Sequence, residues 1–175
     1  MMLRRSSPTS RRQAVAAVEF AVVLPLILLI LLGVWELGRI IHVQQVLTTA
    51  ARDGARLAAQ GTIINTTGAY TQIHFNSGSP NVNDVVLNSL YGAGITNLSG
   101  ANVTFQFVSG DTARTDPYQG QKNELFRVRV TIPYDNVRWT SMTLFAPNTL
   151  SAEVYWTMMV DDPFTVNTNI PGWSP

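Results

Sequence analysis

Apolar residues run almost without a break from residue 20 to residue 35, and the pattern then changes period twice along the chain. After the run, Val43, Leu47, Ala50, Gly54 and Leu57 fall at alternating spacings of 4 and 3, which draws one apolar stripe along a helix. Small residues overlap that stripe at four-residue intervals, as Ala50, Gly54 and Ala58 and beside them Ala51, Ala55 and Ala59. Such a repeat lets another backbone come close. It can pack on the chain's own sheet or on a neighbouring molecule. No proline interrupts residues 37–60, and Gly61-Thr62 supplies a stop, so one helix is expected through the apolar run and on to Gly61. Asp53 and Arg56 have the i, i+3 spacing of a surface ion pair.

Beyond Gly61 the period weakens and then shortens. Residues 61–81 are rich in Thr, Asn, Gly and Ser, and are expected to be loop with at most a short helical piece. Asn81 or Asn83 can cap a helix over residues 84–91, closed by Gly92-Ala93-Gly94. Val103, Phe105 and Phe107 then alternate with polar neighbours, as do Phe126, Val128, Val130 and Ile132. That is the signature of half-buried strands. A third strand is expected over residues 150–160, with Ala152, Val154, Trp156 and Met158 on one face. Residues 109–123 read as a polar connection, residues 136–146 as a helix or an irregular cover, and residues 161–175 as a loosely held tail. A long helix followed by antiparallel strands is an α+β arrangement. The expected divisions are 1–14, 15–35, 36–61, 62–160 and 161–175: a basic leader, a membrane span, its continuation, a small domain and the tail.

Charge gives the helix a direction. Arg4, Arg5, Arg11 and Arg12 precede the apolar run, and all 11 acidic side chains lie at or beyond Glu19. Basic residues stay on the cytoplasmic side of a span, so residues 1–14 are expected inside and the domain outside. At ~1.5 Å per residue, residues 15–35 reach about the ~30 Å of a hydrocarbon core. A secretory signal peptide has a shorter apolar core and an A-x-A cleavage pattern. This run instead exits through Gly33-Val34-Trp35-Glu36-Leu37-Gly38-Arg39, whose Trp35 and Arg39 suit a membrane interface. Pro25 lies within the run, where its missing amide donor is expected to kink the helix.

The chemical inventory is short. There is no cysteine, and the two histidines, His42 and His74, stand outside any metal-binding spacing. No nucleophile elbow, phosphate-binding loop or dinucleotide fingerprint is present. The folded part carries no basic face for nucleic acid. No enzyme chemistry, cofactor or metal is expected.

The ordered set Arg12-Gln13-Ala14-Val15-Ala16-Ala17-Val18-Glu19-Phe20, Leu24-Pro25-Leu26 and Glu36-Leu37-Gly38-Arg39 resembles the TadE-like family. These are pilin-like proteins of the tight-adherence (Tad/Flp) pilus system. The resemblance implies an inner-membrane protein, single-pass, with a pilin-like domain outside. Its implied partners are a prepilin peptidase, other pilin-like subunits and an inner-membrane secretion platform. It also implies cleavage between Ala14 and Val15, which makes Glu19 the fifth residue of the mature chain. Ala14 departs from the glycine usual in the family before the cut. Glu19 and Phe20 are then the assembly and recognition residues, with Ala50, Gly54 and Ala58 as packing positions. A charge within an apolar span is costly and generally has a role. Pairing with a neighbour's new α-amino group is one account of Glu19, and reaching the inner headgroups is the other. An uncleaved single-pass protein whose outer domain binds a ligand remains the alternative.

Overall fold

The computed structural model describes residues 8–64, 66–108, 113–138 and 147–160, with side chains from residue 13 onward. The expectations for residues 139–146 and 161–175 fall outside them. The chain divides into two compact units, one carrying the helix up to His42 and the other beginning at Val43. The architecture is α+β: a long apolar N-terminal helix followed by small antiparallel sheets.

Helix α1, Pro8–Gln60, already includes the last residues of the expected leader and passes through Pro25 as helix. It ends where expected, at Gly61, whose φ of +62° is the left-handed value a glycine adopts without strain. The Gly61 amide donates to the Ala58 carbonyl at 3.0 Å, and the Ile73 amide donates to the Gly61 carbonyl at 2.8 Å. The chain is thus redirected at the helix end and fastened there.

The redirected chain does not form the expected loop. Residues 62–72 hold a two-stranded ribbon, β1 (Thr62–Ile64) and β2 (Tyr70–Gln72), paired antiparallel with Thr62 opposite Gln72. Helix α2 follows, Val82–Gly92, starting two residues earlier than expected. Asn81 is its cap: its side-chain oxygen accepts from the Asp84 amide at 2.8 Å, and its amide nitrogen donates to the Gly78 carbonyl at 2.8 Å. A capped first turn of this kind typically adds about 1 kcal/mol to helix stability.

The main sheet has the order β3-β4-β5, with β3 at Asn102–Phe107, β4 at Leu125–Pro133 and β5 at Thr149–Thr157. Both pairings are antiparallel, with Phe105 opposite Val128 and Val128 opposite Val154. Alternation sends Val103, Phe105 and Phe107 inward with Phe126, Val128, Val130 and Ile132. On β5 the same face holds Ala152, Val154 and Trp156, which are only half-buried, while Leu150 and Met158 at the two ends are buried. Phe105 stacks edge-on to Phe107 at 5.0 Å and lies 5.3 Å from Phe126, giving the core an aromatic centre.

Against this sheet lies the C-terminal part of α1. Val43, Leu47, Ala50, Ala51, Ala55 and Ala58 have no exposed surface, nor do Val82, Val86 and Leu90 of α2. Gly54 explains how α1 and α2 come so near each other. A Cβ placed on it would sit 2.4 Å from Cγ2 of Val86 and 3.8 Å from Cγ1 of Val128. Asp53, expected to pair with Arg56, instead accepts a 2.7 Å hydrogen bond from the Ser89 hydroxyl, which ties the same two helices at their rim.

An ion pair holds the polar connection between β3 and β4. The Arg114 guanidinium bonds both carboxylate oxygens of Glu124, donates to the Gln119 carbonyl at 2.9 Å, and lies 4.7 Å from the centre of the Phe107 ring. Burial pushes the Glu124 carboxyl up, yet hydrogen bonds from Arg114 and the Gln121 amide, with the arginine charge, hold it below its ordinary 4.5. The segment after β5 closes the unit: the Met158 amide donates to the Glu124 carbonyl at 2.9 Å and the Met159 amide to the Ala59 carbonyl at 2.7 Å.

Two outcomes follow from this packing. Gly54→Ala gains about 1 kcal/mol of helix propensity but forces the branched Val86 side chain aside, a cost of ~1–3 kcal/mol. Urea unfolding of the full chain in micelles should therefore show net destabilisation, and Val86→Ala in the same chain should recover part of it through favourable coupling. The second concerns pH. A carboxylate with a depressed folded-state pKa stabilises the fold above the ordinary value of 4.5, and loses that contribution as pH falls through the depressed value. Thermal unfolding should show that Glu124→Gln lowers the midpoint near neutral pH and narrows its fall as pH drops below 4.5 through the depressed value.

Candidate functional site

The residues singled out in the N-terminal segment lie on one uninterrupted stretch of α1. Every residue from 13 to 35 is exposed, including Ala14, Val15, Glu19, Phe20 and Pro25. Val15 and Phe20 show 59% and 61% of their surface, a cost in water that apolar surroundings would remove. The helix is long and apolar enough to cross a membrane, with a mean hydropathy of 2.9 over its most apolar window and none of that window buried. Val15 and Glu19 are four residues apart, so they share one helix face about one turn apart. Among the described residues, no side-chain hydrogen bond or ion pair engages Glu19. An apolar cylinder bearing one unpartnered carboxylate can bind a complementary helix or a lipid surface, and it holds no reacting groups.

Ala50, Gly54 and Ala58 are placed differently. All three are buried inside the second unit, where Gly54 faces Val86 and Val82 of α2. The structure gives these small residues to the chain's own core, and at these positions no surface is left for a neighbour.

The domain surface carries two polar groupings that sequence patterns did not indicate. On the outer face of the main sheet, Arg127 donates to Glu153 at 3.2 Å and to Gln106 at 2.6 Å, and Arg129 lies 3.8 Å from Glu153. Register explains the grouping, since Arg127 sits opposite both Gln106 and Tyr155, and Arg129 opposite Glu153. A hydrogen bond from Tyr155 holds the Glu153 carboxyl below the usual range; burial opposes this and Arg127 and Arg129 reinforce it. The Arg127 guanidinium is raised in turn by Tyr155 and Glu153. This is a solvated cross-strand network, and such pairs add little stability each.

The second grouping lies beside the β1–β2 ribbon. His74 has its Nδ1 3.6 Å from Asp116, and its ring centre 4.8 Å from that of Tyr118. The other Asp116 oxygen accepts from the Phe75 amide at 2.8 Å. His74 also lines an open cavity of about 570 Å³ with Thr62, Tyr70, Thr71, Gln72, Gly78 and Ser79. His42 is exposed on α1 and is not part of it. Among the described residues no group of three or more His, Cys, Asp or Glu side chains could hold a metal ion. The only hint of this cavity in the sequence was the concentration of Thr, Asn, Gly and Ser in residues 61–81, which indicates a turn-rich surface and no chemistry.

Comparison with known proteins places only the helix. No curated protein and no solved structure matches the chain. The family model described as TadE-like protein does match, and the stretch it covers contains Glu19-Phe20, Leu24-Pro25-Leu26 and Glu36-Leu37-Gly38-Arg39. The chain therefore carries a TadE-like segment at residues 14–56, made of the exposed apolar helix and the first part of the buried small-residue face.

Proposed function

We propose that the protein is a minor pilin-like subunit or assembly factor of a tight-adherence (Tad/Flp) pilus, anchored in the inner membrane by α1. The observation that carries this reading is Glu19: an exposed carboxylate with no partner among the described residues, inside the TadE-like segment and surrounded by exposed apolar surface. In this reading residues 15–35 span the bilayer, residues 1–14 are cytoplasmic, and the folded unit is extracytoplasmic. A prepilin peptidase cuts between Ala14 and Val15, and the new α-amino group lies one turn from Glu19. In a bundle of such helices each ammonium pairs with the glutamate of the next subunit.

The size of the effect makes the pair a register device. Breaking a desolvated ion pair by removing one partner costs ~3–5 kcal/mol, because the other charge is left buried alone. A subunit one turn out of place incurs the same cost at both charges. The pair thus selects alignment, while the surrounding apolar side chains and the small residues Ala16, Ala17 and Ala21 supply close contact. No catalytic step is required, and assembly with other pilin-like subunits on a membrane platform is the whole of the activity.

One observation favours a second reading. The folded unit has an open cavity of its own, which suits an uncleaved single-pass protein that presents a binding domain. Intact mass of protein extracted from membranes separates the two: loss of residues 1–14 is expected, and a full-length chain would favour the tethered module. Glu19→Ala should still insert, since it removes a charge from the span. Its recovery with other pilus subunits should fall at least ~10-fold, the equivalent of ~1.4 kcal/mol, and unchanged co-purification would overturn the pairing.

A further inference from the structure

We propose that the cavity beside the β1–β2 ribbon is a binding site for an uncharged saccharide. Its volume of about 570 Å³ lies within the ~300–1,000 Å³ usual for small-molecule sites. One wall is the ribbon. Thr62 pairs with Gln72 and Ile64 with Tyr70, so strand alternation brings all four side chains to one face. All four are exposed, and Tyr70 shows 80% of its surface. The other wall is the segment leading to α2, with His74, Gly78 and Ser79.

The chemistry of this lining selects a class of ligand. Among the described residues it contains no Lys, Arg, Asp or Glu, and its one imidazole, His74, is already turned to Asp116, so the lining favours an uncharged ligand. What it offers is threonine and serine hydroxyls, the Gln72 carboxamide and the tyrosine hydroxyl, groups that both donate and accept hydrogen bonds. Saccharide hydroxyls need that dual capacity at several points at once. A sugar ring also has an apolar C–H face, and the exposed ring of Tyr70 is a flat partner for it, with a polar tip at the rim. The cavity is open on one side, which suits a unit within a longer glycan better than an enclosed metabolite.

Part of the lining is held in place before any ligand arrives. His74 is set by Asp116 on one side and by the Tyr118 ring, and Asp116 is itself held by the Phe75 amide. With the Nδ1 edge of the imidazole turned to Asp116, the opposite ring edge remains to line the cavity. The rim near His74 stays low because Gly78 has φ +73°, a conformation that strains any L side chain, and a Cβ there would lie 3.9 Å from the His74 ring. Preorganised walls reduce the ordering cost of binding.

This inference is independent of leader cleavage and of Glu19. It is tested on the full chain in a detergent without a sugar headgroup, applied to an array of glucose, galactose and N-acetylglucosamine oligomers together with sialylated and sulfated glycans. Binding to neutral oligomers is expected, weakened at least ~10-fold by Tyr70→Ala and by Gln72→Ala. Both side chains are exposed, so neither change should unfold the unit, and the thermal midpoint checks this. Tyr91→Ala, at a 62% exposed tyrosine outside the cavity, should leave binding unchanged. Binding to none of the arrayed glycans overturns the proposal. So does binding confined to charged glycans, or binding that survives both cavity variants.

Discussion

The distance between α1 and α2 is set where a glycine meets a valine. With nothing larger than hydrogen at Gly54, α2 settles onto the helix until Val86 occupies the space a side chain would take. The alanines on either side continue the same shallow surface, so the helix presents a nearly smooth face and not a row of ridges. Bulk for the core then has to come from the other side. Phe105, Phe107 and Phe126 on the sheet supply it, with Val82, Val86 and Leu90 on α2. Small residues on one element and large ones on the facing elements interdigitate at the density of protein interiors. The turn at Gly61 and the clamp from Met159 to Ala59 depend on this seating, because both act on the helix end that it positions.

The same helix meets two different requirements along its length. From Val43 onward it needs apolar side chains only on the face turned to the sheet, and Arg52, Asp53 and Arg56 are exposed on the other. From Phe20 to Trp35 it is apolar all round, a pattern that water cannot support on an exposed helix and a hydrocarbon environment can. No proline breaks the part that packs, and the interior proline, Pro25, lies in the apolar part, where neighbouring helices tolerate it better.

Much of this was legible because it is periodic and local. The stripe from Val43, the alternations in β3 and β4, the Asn81 cap and the Gly61 stop each lie within one turn or a few strand residues. The β1–β2 ribbon was not legible. Its strands have three residues each, and their outer face of Thr62, Ile64, Tyr70 and Gln72 mixes polar and apolar types, so no period of two develops. The grouping of His74, Phe75 and Asp116 spans some forty residues of sequence, |i−j| = 41 for the Phe75–Asp116 bond, and no local pattern announces such a contact. The N-terminal motif was readable for the opposite reason: its elements are consecutive. The cavity is assembled by folding, whereas the TadE-like motif is written consecutively in the chain.

Where the small residues go bears on how such a chain could join others. A repeat of Ala50, Gly54 and Ala58 invites a helix from another molecule, yet here that face is filled by α2 and the sheet of the same chain. To offer it to a neighbour, the unit would have to lift α2 away and expose Val82, Val86 and Leu90, undoing much of its own core. The part of α1 before Val43 has no such obstacle, since the side chains from Val15 to Trp35 are exposed. Within that stretch Gly33 has no atom within 4 Å of where a side chain would stand, and Ala16, Ala17 and Ala21 thin the helix near Glu19. Close approach is then available where the lone carboxylate lies, and not where the more conspicuous small-residue repeat would put it.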